Sequence, residues 1–137
     1  MKRDIHLEAF YPFPPEKVWR AISDPKVVRA WLMDNDLLPI VGHEFQFTTQ
    51  PQPGWNGIIA CTVTEADPPR VLAYTWFGSW GESLVRWTLE PANEGTRLTL
   101  THSGFAGLRG ILLSFMVGAG WKKRLHEVVG NVLARMA

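Results

Sequence analysis

The chain has 137 residues, 46% of them hydrophobic and 20% charged, the balance of one folded globular domain with a single core rather than of a disordered chain. Its 14 basic and 13 acidic side chains leave a formal charge of +1, which supplies no large electrostatic term for a polyanion, so nucleic acid is not an expected partner. Cys61 is the sole cysteine, so no internal disulfide framework exists and a reducing, cytoplasmic setting is expected.

Asp4-Ile5-His6-Leu7-Glu8-Ala9-Phe10 puts Ile5, Leu7 and Ala9 on one face at period two, the pattern of a half-buried first strand, and it leaves no continuous apolar run for a signal peptide. Pro14-Pro15-Glu16 then opens a short helix over roughly Pro15 to Ile22 that buries Val18 and Trp19, since proline at the first helical position loses no needed donor. Ser23-Asp24-Pro25 repeats the signal, and a second short helix is expected to end near Trp31. Helices of two turns are not stable alone, so both must pack on a sheet.

After a loop from Met33 to Gly42, five strands are expected: Glu44 to Thr48, Gly57 to Ala66, Val71 to Phe77, Ser83 to Glu90 and Thr96 to His102. The connections carry Pro51 with Pro53-Gly54, Asp67-Pro68-Pro69, Gly78 with Gly81, and Asn93-Glu94-Gly95, the chemistry of chain reversal in a meander. Alternation assigns Phe45, Phe47, Ile59, Cys61, Val63, Leu72, Tyr74, Trp76, Val85, Trp87, Leu89, Leu98, Leu100 and His102 to one ring-rich face. The threonine-rich opposite set is polar, as on a sheet with one wet face.

From about Leu108 to Met136 the period turns helical, with Leu112, Phe115, Trp121, Leu125, Val128, Val132 and Met136 expected on the buried stripe of a long amphipathic helix. Gly118 and Gly120 are candidates for a bend or break before Trp121. The apolar stretch Ile111 to Trp121, interrupted by Ser114, Gly118 and Gly120, is far shorter than the roughly 20 residues of a bilayer span, and the more strictly apolar run Ile111 to Val117 lies within it. That run is read first as the buried first half of the helix, with a movable lid or a homodimer patch as alternatives for residues 108–120.

Three sets of residues resemble a known family in order and spacing across essentially the whole chain. The first is Pro14-Pro15-Glu16-Lys17-Val18-Trp19, Asp24-Pro25, Ala30-Trp31-Leu32 and Val41-Gly42 ahead of Phe45. Next come Gly57, Glu65-Ala66-Asp67-Pro68-Pro69-Arg70, Leu72-Ala73-Tyr74-Thr75-Trp76 and Trp87-Thr88-Leu89. The third is Gly95-Thr96-Arg97-Leu98-Thr99-Leu100, His102-Ser103-Gly104-Phe105 and Gly120-Trp121. The sequence is similar to the activator of Hsp90 ATPase homologue 1-like family of the START and Bet v 1-like superfamily. That resemblance implies a single α+β domain over residues 1–137 with the helix-grip fold. In it a curved antiparallel six-stranded sheet wraps a long C-terminal helix, two short helices follow the first strand, and a cavity lies between sheet and helix. The activator that gives the family its name has an additional N-terminal domain that takes part in chaperone contact, which these 137 residues do not resemble, so its co-chaperone role is not expected to transfer.

The expected activity is binding of a small hydrophobic molecule, lipid-like or aromatic, in that cavity. Its expected lining is Trp31, Phe45, Phe47, Trp55, Cys61, Tyr74, Trp76, Trp87, Leu100, His102, Phe105, Phe115, Trp121 and Leu125, with Trp80 in the same aromatic set. His102 and Tyr74 are the candidates for acid–base work under the alternative of a cyclase- or hydratase-type enzyme, with Glu65 a distant third. A hydrogen-bonded core histidine is the simpler reading of His102, and Cys61 has no neighbouring cation to activate it. His6, His43 and His126 have no ligand spacing, so neither metal nor cofactor is expected. A stress-related or chaperone-associated interaction module is the third reading.

Overall fold

The computed structural model describes residues 2–78 and 81–136; Trp80 lies outside them. The first strand, β1 (Lys2–Tyr11), is followed by α1 (Pro15–Ser23) and α2 (Pro25–Trp31). Asp24 caps α2 by accepting from the Lys26 amide at 2.9 Å, and both helices begin with a proline, as the repeated start signal requires. The Trp31 indole donates to the Ala21 carbonyl at 2.7 Å, which ties the end of α2 back onto α1.

The sheet has seven strands rather than six. The added one is β2 (Asp34–Asn35), a two-residue edge strand inside the expected loop, and it pairs with β3 (Glu44–Thr48). Two residues show no readable alternation, so backbone pairing alone reveals this strand. The meander continues through β4 (Ile58–Asp67), β5 (Val71–Gly78), β6 (Gly81–Ala92) and β7 (Gly95–Ala106), and β7 returns beside β1. The spatial order is β1-β7-β6-β5-β4-β3-β2, with every neighbouring pair antiparallel. Asn93 and Glu94 both take positive φ and join β6 to β7 as a two-residue hairpin turn whose twist matches the strands. Near the start of β1 the register shifts by one residue between Arg3 and Ile5. Gly104 takes up the bulge in β7 at φ +101°, a conformation open to glycine at little cost.

The chain then forms one rod against the concave face: α3 (Gly107–Lys123), a π-helical turn over Arg124–Val128, and α4 (Val129–Arg135). The Tyr11 hydroxyl donates to the Leu125 carbonyl at 2.6 Å, satisfying a backbone acceptor in the turn where the ordinary helical ladder is interrupted. Neither Gly118 nor Gly120 breaks the helix. Gly118 faces Ile5 of β1, where a Cβ would meet ordinary van der Waals contact at 3.6 Å.

The buried stripe of the rod differs from expectation. Gly110, Ser114, Trp121, Leu125, Val129 and Leu133 face the sheet, while Val128, Val132 and Met136 are half-buried. Leu112 and Phe115 point to solvent, 60% and 58% exposed. The expected burial of Ile111 to Val117 as the first half of the helix is corrected accordingly: of that run only Ser114 is buried.

Candidate functional site

The inward alternation of the five long strands brings the expected rings together. Phe45, Phe47, Cys61, Tyr74, Trp76, Trp87, Leu100 and Phe105 from the sheet join Trp31 from α2 and Trp121 and Leu125 from the rod in one buried cluster, and the buried His102 ring packs against its Trp76, Phe105 and Trp121. Trp55 packs only partly against it, from the loop before β4. Phe115 lies outside, beneath the guanidinium of Arg3, 3.9 Å from the ring centroid. Its assignment to the lining is therefore withdrawn.

These rings touch one another across the space between sheet and rod. Trp121 lies 5.4 Å from Trp76 and 5.5 Å from Trp87, centroid to centroid, and Trp31 meets Trp87 edge-on at 6.0 Å. Phe47 joins Trp76 at 5.3 Å, and Phe45 joins Tyr74 at 5.2 Å. Such separations are those of packed aromatic pairs. Rings from the sheet, α2 and the rod thus meet one another across the space between sheet and helix.

Hydrogen bonding fixes the polar members. An indole only donates, so Trp121 Nε1–H donates a hydrogen bond to His102 Nδ1 at 3.1 Å. The imidazole proton then sits on Nε2, which donates to Ser83 Oγ at 2.7 Å, and Ser83 Oγ–H donates to the Trp76 carbonyl at 3.0 Å. Protonating His102 would set two N–H groups against each other at Trp121. Burial holds its pKa at about 3, against an ordinary 6.5. His102 is therefore a neutral structural group with one tautomer, unable to exchange protons near neutrality through either nitrogen.

Tyr74 accepts from the Trp87 indole at 3.0 Å, and burial raises its pKa well above the usual phenol. Burial, with a smaller contribution from Asp36, raises the Cys61 thiol in the same direction, which suppresses a thiolate nucleophile. Glu65 pairs with Arg86 at 3.1 Å, with both side chains substantially exposed. Among the described residues no cluster of His, Cys, Asp and Glu side chains is arranged to hold a metal ion.

Open volume of an apolar kind remains at one edge of the aromatic cluster. A cleft of about 250 Å³ lies between the residues after α2 and the middle of the rod. Leu32 and Met33 form one wall, Met116, Val117 and Gly120 of α3 form the other, and Trp76 and Trp121 contribute rings. Arg124 stands at the same site. It makes a long contact of 3.4 Å to the Gly120 carbonyl and takes part in none of the ion pairs among the described residues. Trp76 carries the unusual feature: its indole N–H is buried and has no hydrogen-bond partner among the described residues. Larger clefts of about 480 and 560 Å³ include Ala60 and Phe77 from the outer side of the sheet and have more polar linings.

Of the residues expected from sequence, only Trp76 and Trp121 border this apolar cleft. Leu32, Met33, Met116, Val117, Gly120 and Arg124 were not among them. Met116 lies inside the apolar run Ile111 to Val117, whereas Arg124 ends a Lys-Lys-Arg run in which no local pattern singles out one cation.

Comparison with known proteins agrees with this architecture. A family model described as activator of Hsp90 ATPase homolog 1-like protein matches residues 12–130. The sequence matches none of the curated proteins. Among solved structures, protein MLL2253 from Mesorhizobium loti is 32% identical over 98% of this chain and 99% of its own, with a TM-score of 0.88. Protein BH1534 from Bacillus halodurans is 26% identical over 97% and 99%, with a TM-score of 0.81. The Aha1 dimer from Colwellia psychrerythraea, 17% identical over 98% and 99% with a TM-score of 0.80, shares the fold. With the family model spanning most of the sequence and the helix-grip architecture built from its own residues, this chain belongs to the activator of Hsp90 ATPase homolog 1-like family.

Proposed function

We propose that the chain binds a small apolar molecule bearing a hydrogen-bond acceptor, and that the binding place is the cleft between Leu32-Met33 and the Met116–Arg124 stretch of the rod. One observation carries the reading: the buried, unpartnered indole N–H of Trp76 at an apolar cleft. A buried donor without a partner costs about 1–3 kcal/mol, and an acceptor on a guest recovers it. Arg124 adds a preference for an anionic acceptor such as a carboxylate. The volume equals that of roughly eight waters at liquid density, which suits a guest of on the order of ten non-hydrogen atoms.

The family's fold commonly encloses hydrophobic ligands, and this reading places the guest at the edge of the aromatic cluster because the interior rings already fill one another's contacts. The neutral, doubly engaged His102 supports binding over proton-transfer chemistry at this place.

Titration of intrinsic tryptophan fluorescence with octanoate and with 1-octanol tests it. Octanoate is expected to bind saturably and more tightly than the alcohol. Trp76→Phe, which keeps the apolar ring and removes the donor, is expected to weaken octanoate about 3- to 10-fold. Equal affinity of Trp76→Phe and the parent protein for octanoate contradicts the assignment of the donor.

A further inference from the structure

We propose that the outward face of α3 is a docking surface for an anionic lipid bilayer. Leu108, Leu112, Phe115 and Met116 are 77%, 60%, 58% and 72% exposed. Their spacing of four, three and one residues puts them on a single stripe roughly 100° wide, opposite the buried Gly110, Ser114 and Trp121. Four large apolar side chains in one exposed row require a partner that removes them from water.

Charge decides which partner. Between Glu94 and Glu127 the sequence contains no acidic residue. Arg109, Lys122 and Lys123 project from the same helix and are exposed. Arg3 of β1 is held against this face by a 2.9 Å hydrogen bond from its guanidinium to Ser114 Oγ and by its position over the Phe115 ring. Asp4, the next residue, is turned by strand alternation toward the other side of the sheet. An apolar stripe between cations, with no anion of its own, matches the interface of a membrane carrying negatively charged headgroups.

A second copy of the chain fits less well. Two-fold pairing through this stripe would bring the basic rims of both copies together with no acidic residue of α3 to answer them. The helix is too short to span a bilayer: its 17 residues give a rod of about 25 Å. It is therefore expected to lie in the plane of the headgroups, its stripe inserted and Lys122 and Lys123 at the phosphates. Met116 belongs both to the stripe and to the wall of the apolar cleft, so a docked protein would hold the cleft beside the lipid. The docking itself does not depend on what the cleft binds.

Co-sedimentation of the full chain with extruded vesicles tests this. Vesicles of phosphatidylcholine and phosphatidylglycerol in equal parts are expected to retain the protein about tenfold better than phosphatidylcholine alone, with the gain lost in high salt. Leu112→Glu with Phe115→Glu is expected to abolish retention. Because both positions are exposed, thermal melting should be unchanged, which separates loss of docking from loss of fold. Lys122→Glu with Lys123→Glu should remove the anionic preference while leaving octanoate binding intact, so failure here is distinguishable from failure of the cleft assignment. Absence of retention on anionic vesicles overturns the proposal. So does a concentration-dependent dimer that excludes vesicles and is dissolved by Leu112→Glu with Phe115→Glu.

Discussion

His102 illustrates how a single side chain is removed from chemistry by its neighbours. Trp121 donates to one ring nitrogen and Ser83 accepts from the other, so the neutral form is the one the fold requires. Its folded pKa of about 3 lies below the ordinary 6.5. The unfolded chain therefore binds the extra proton over that window, and stability is full above 6.5 and declines as pH falls toward 3. Chemical denaturation is expected to show a loss of about 2 kcal/mol between pH 6.5 and pH 5. The slope should flatten in His102→Gln, even though that protein is less stable throughout. An unchanged slope in the variant would assign the pH dependence elsewhere. The inward direction of His102 is legible in the sequence, because it follows from strand alternation. Its partners were not legible, because Ser83 meets it through β6–β7 pairing and Trp121 arrives from the rod, and neither contact leaves a local pattern.

Among the elements, the strands were the most readable, since each carries a period-two face and turn residues at both ends. The rod's helical period is legible, but the buried face differs in two places from the one that the period selects. In its first half, apolar side chains lie all around the helix, so periodicity has no contrast with which to choose a face. In its second half, the π turn at Arg124–Val128 takes more residues per turn, and burial falls on Val129 and Leu133 instead of Val128 and Val132. Gly118 and Gly120, expected as breakers, lie in continuous helix, and Gly118 stands against Ile5 with room for a methyl group. Gly118→Ala is expected to stabilise the protein by about 0.5–1 kcal/mol, seen as a higher urea midpoint with unchanged m-value. A lower midpoint would mean that the contact between α3 and β1 has no slack.

For the molecule as a whole, the helix-grip architecture follows from an aromatic concave sheet that closes on a terminal helix. Its distinguishing feature is that four tryptophans, Trp31, Trp76, Trp87 and Trp121, occupy the middle themselves. Inward direction could be read from alternation, but whether the inward rings leave room depends on side-chain packing between distant segments. The rings meet one another in the middle, and an apolar cleft lies at their edge. The cleft, the Arg124 guanidinium and the exposed stripe of α3 all meet near Met116 and Gly120, and among the described residues no helix is long and apolar enough to cross a membrane. Binding at the surface, with the guest's acceptor turned onto a waiting donor, is the account these features support.

The most direct test observes that donor. The seven tryptophans give indole N–H signals in a ¹⁵N–¹H correlation spectrum, and comparison with Trp76→Phe assigns the signal of Trp76. On titration with octanoate the account predicts a saturable downfield shift of the Trp76 proton as it gains an acceptor, with the Trp87 and Trp121 signals, already bonded inside the protein, moving little. A Trp76 signal that stays in place while octanoate saturates the protein would contradict it.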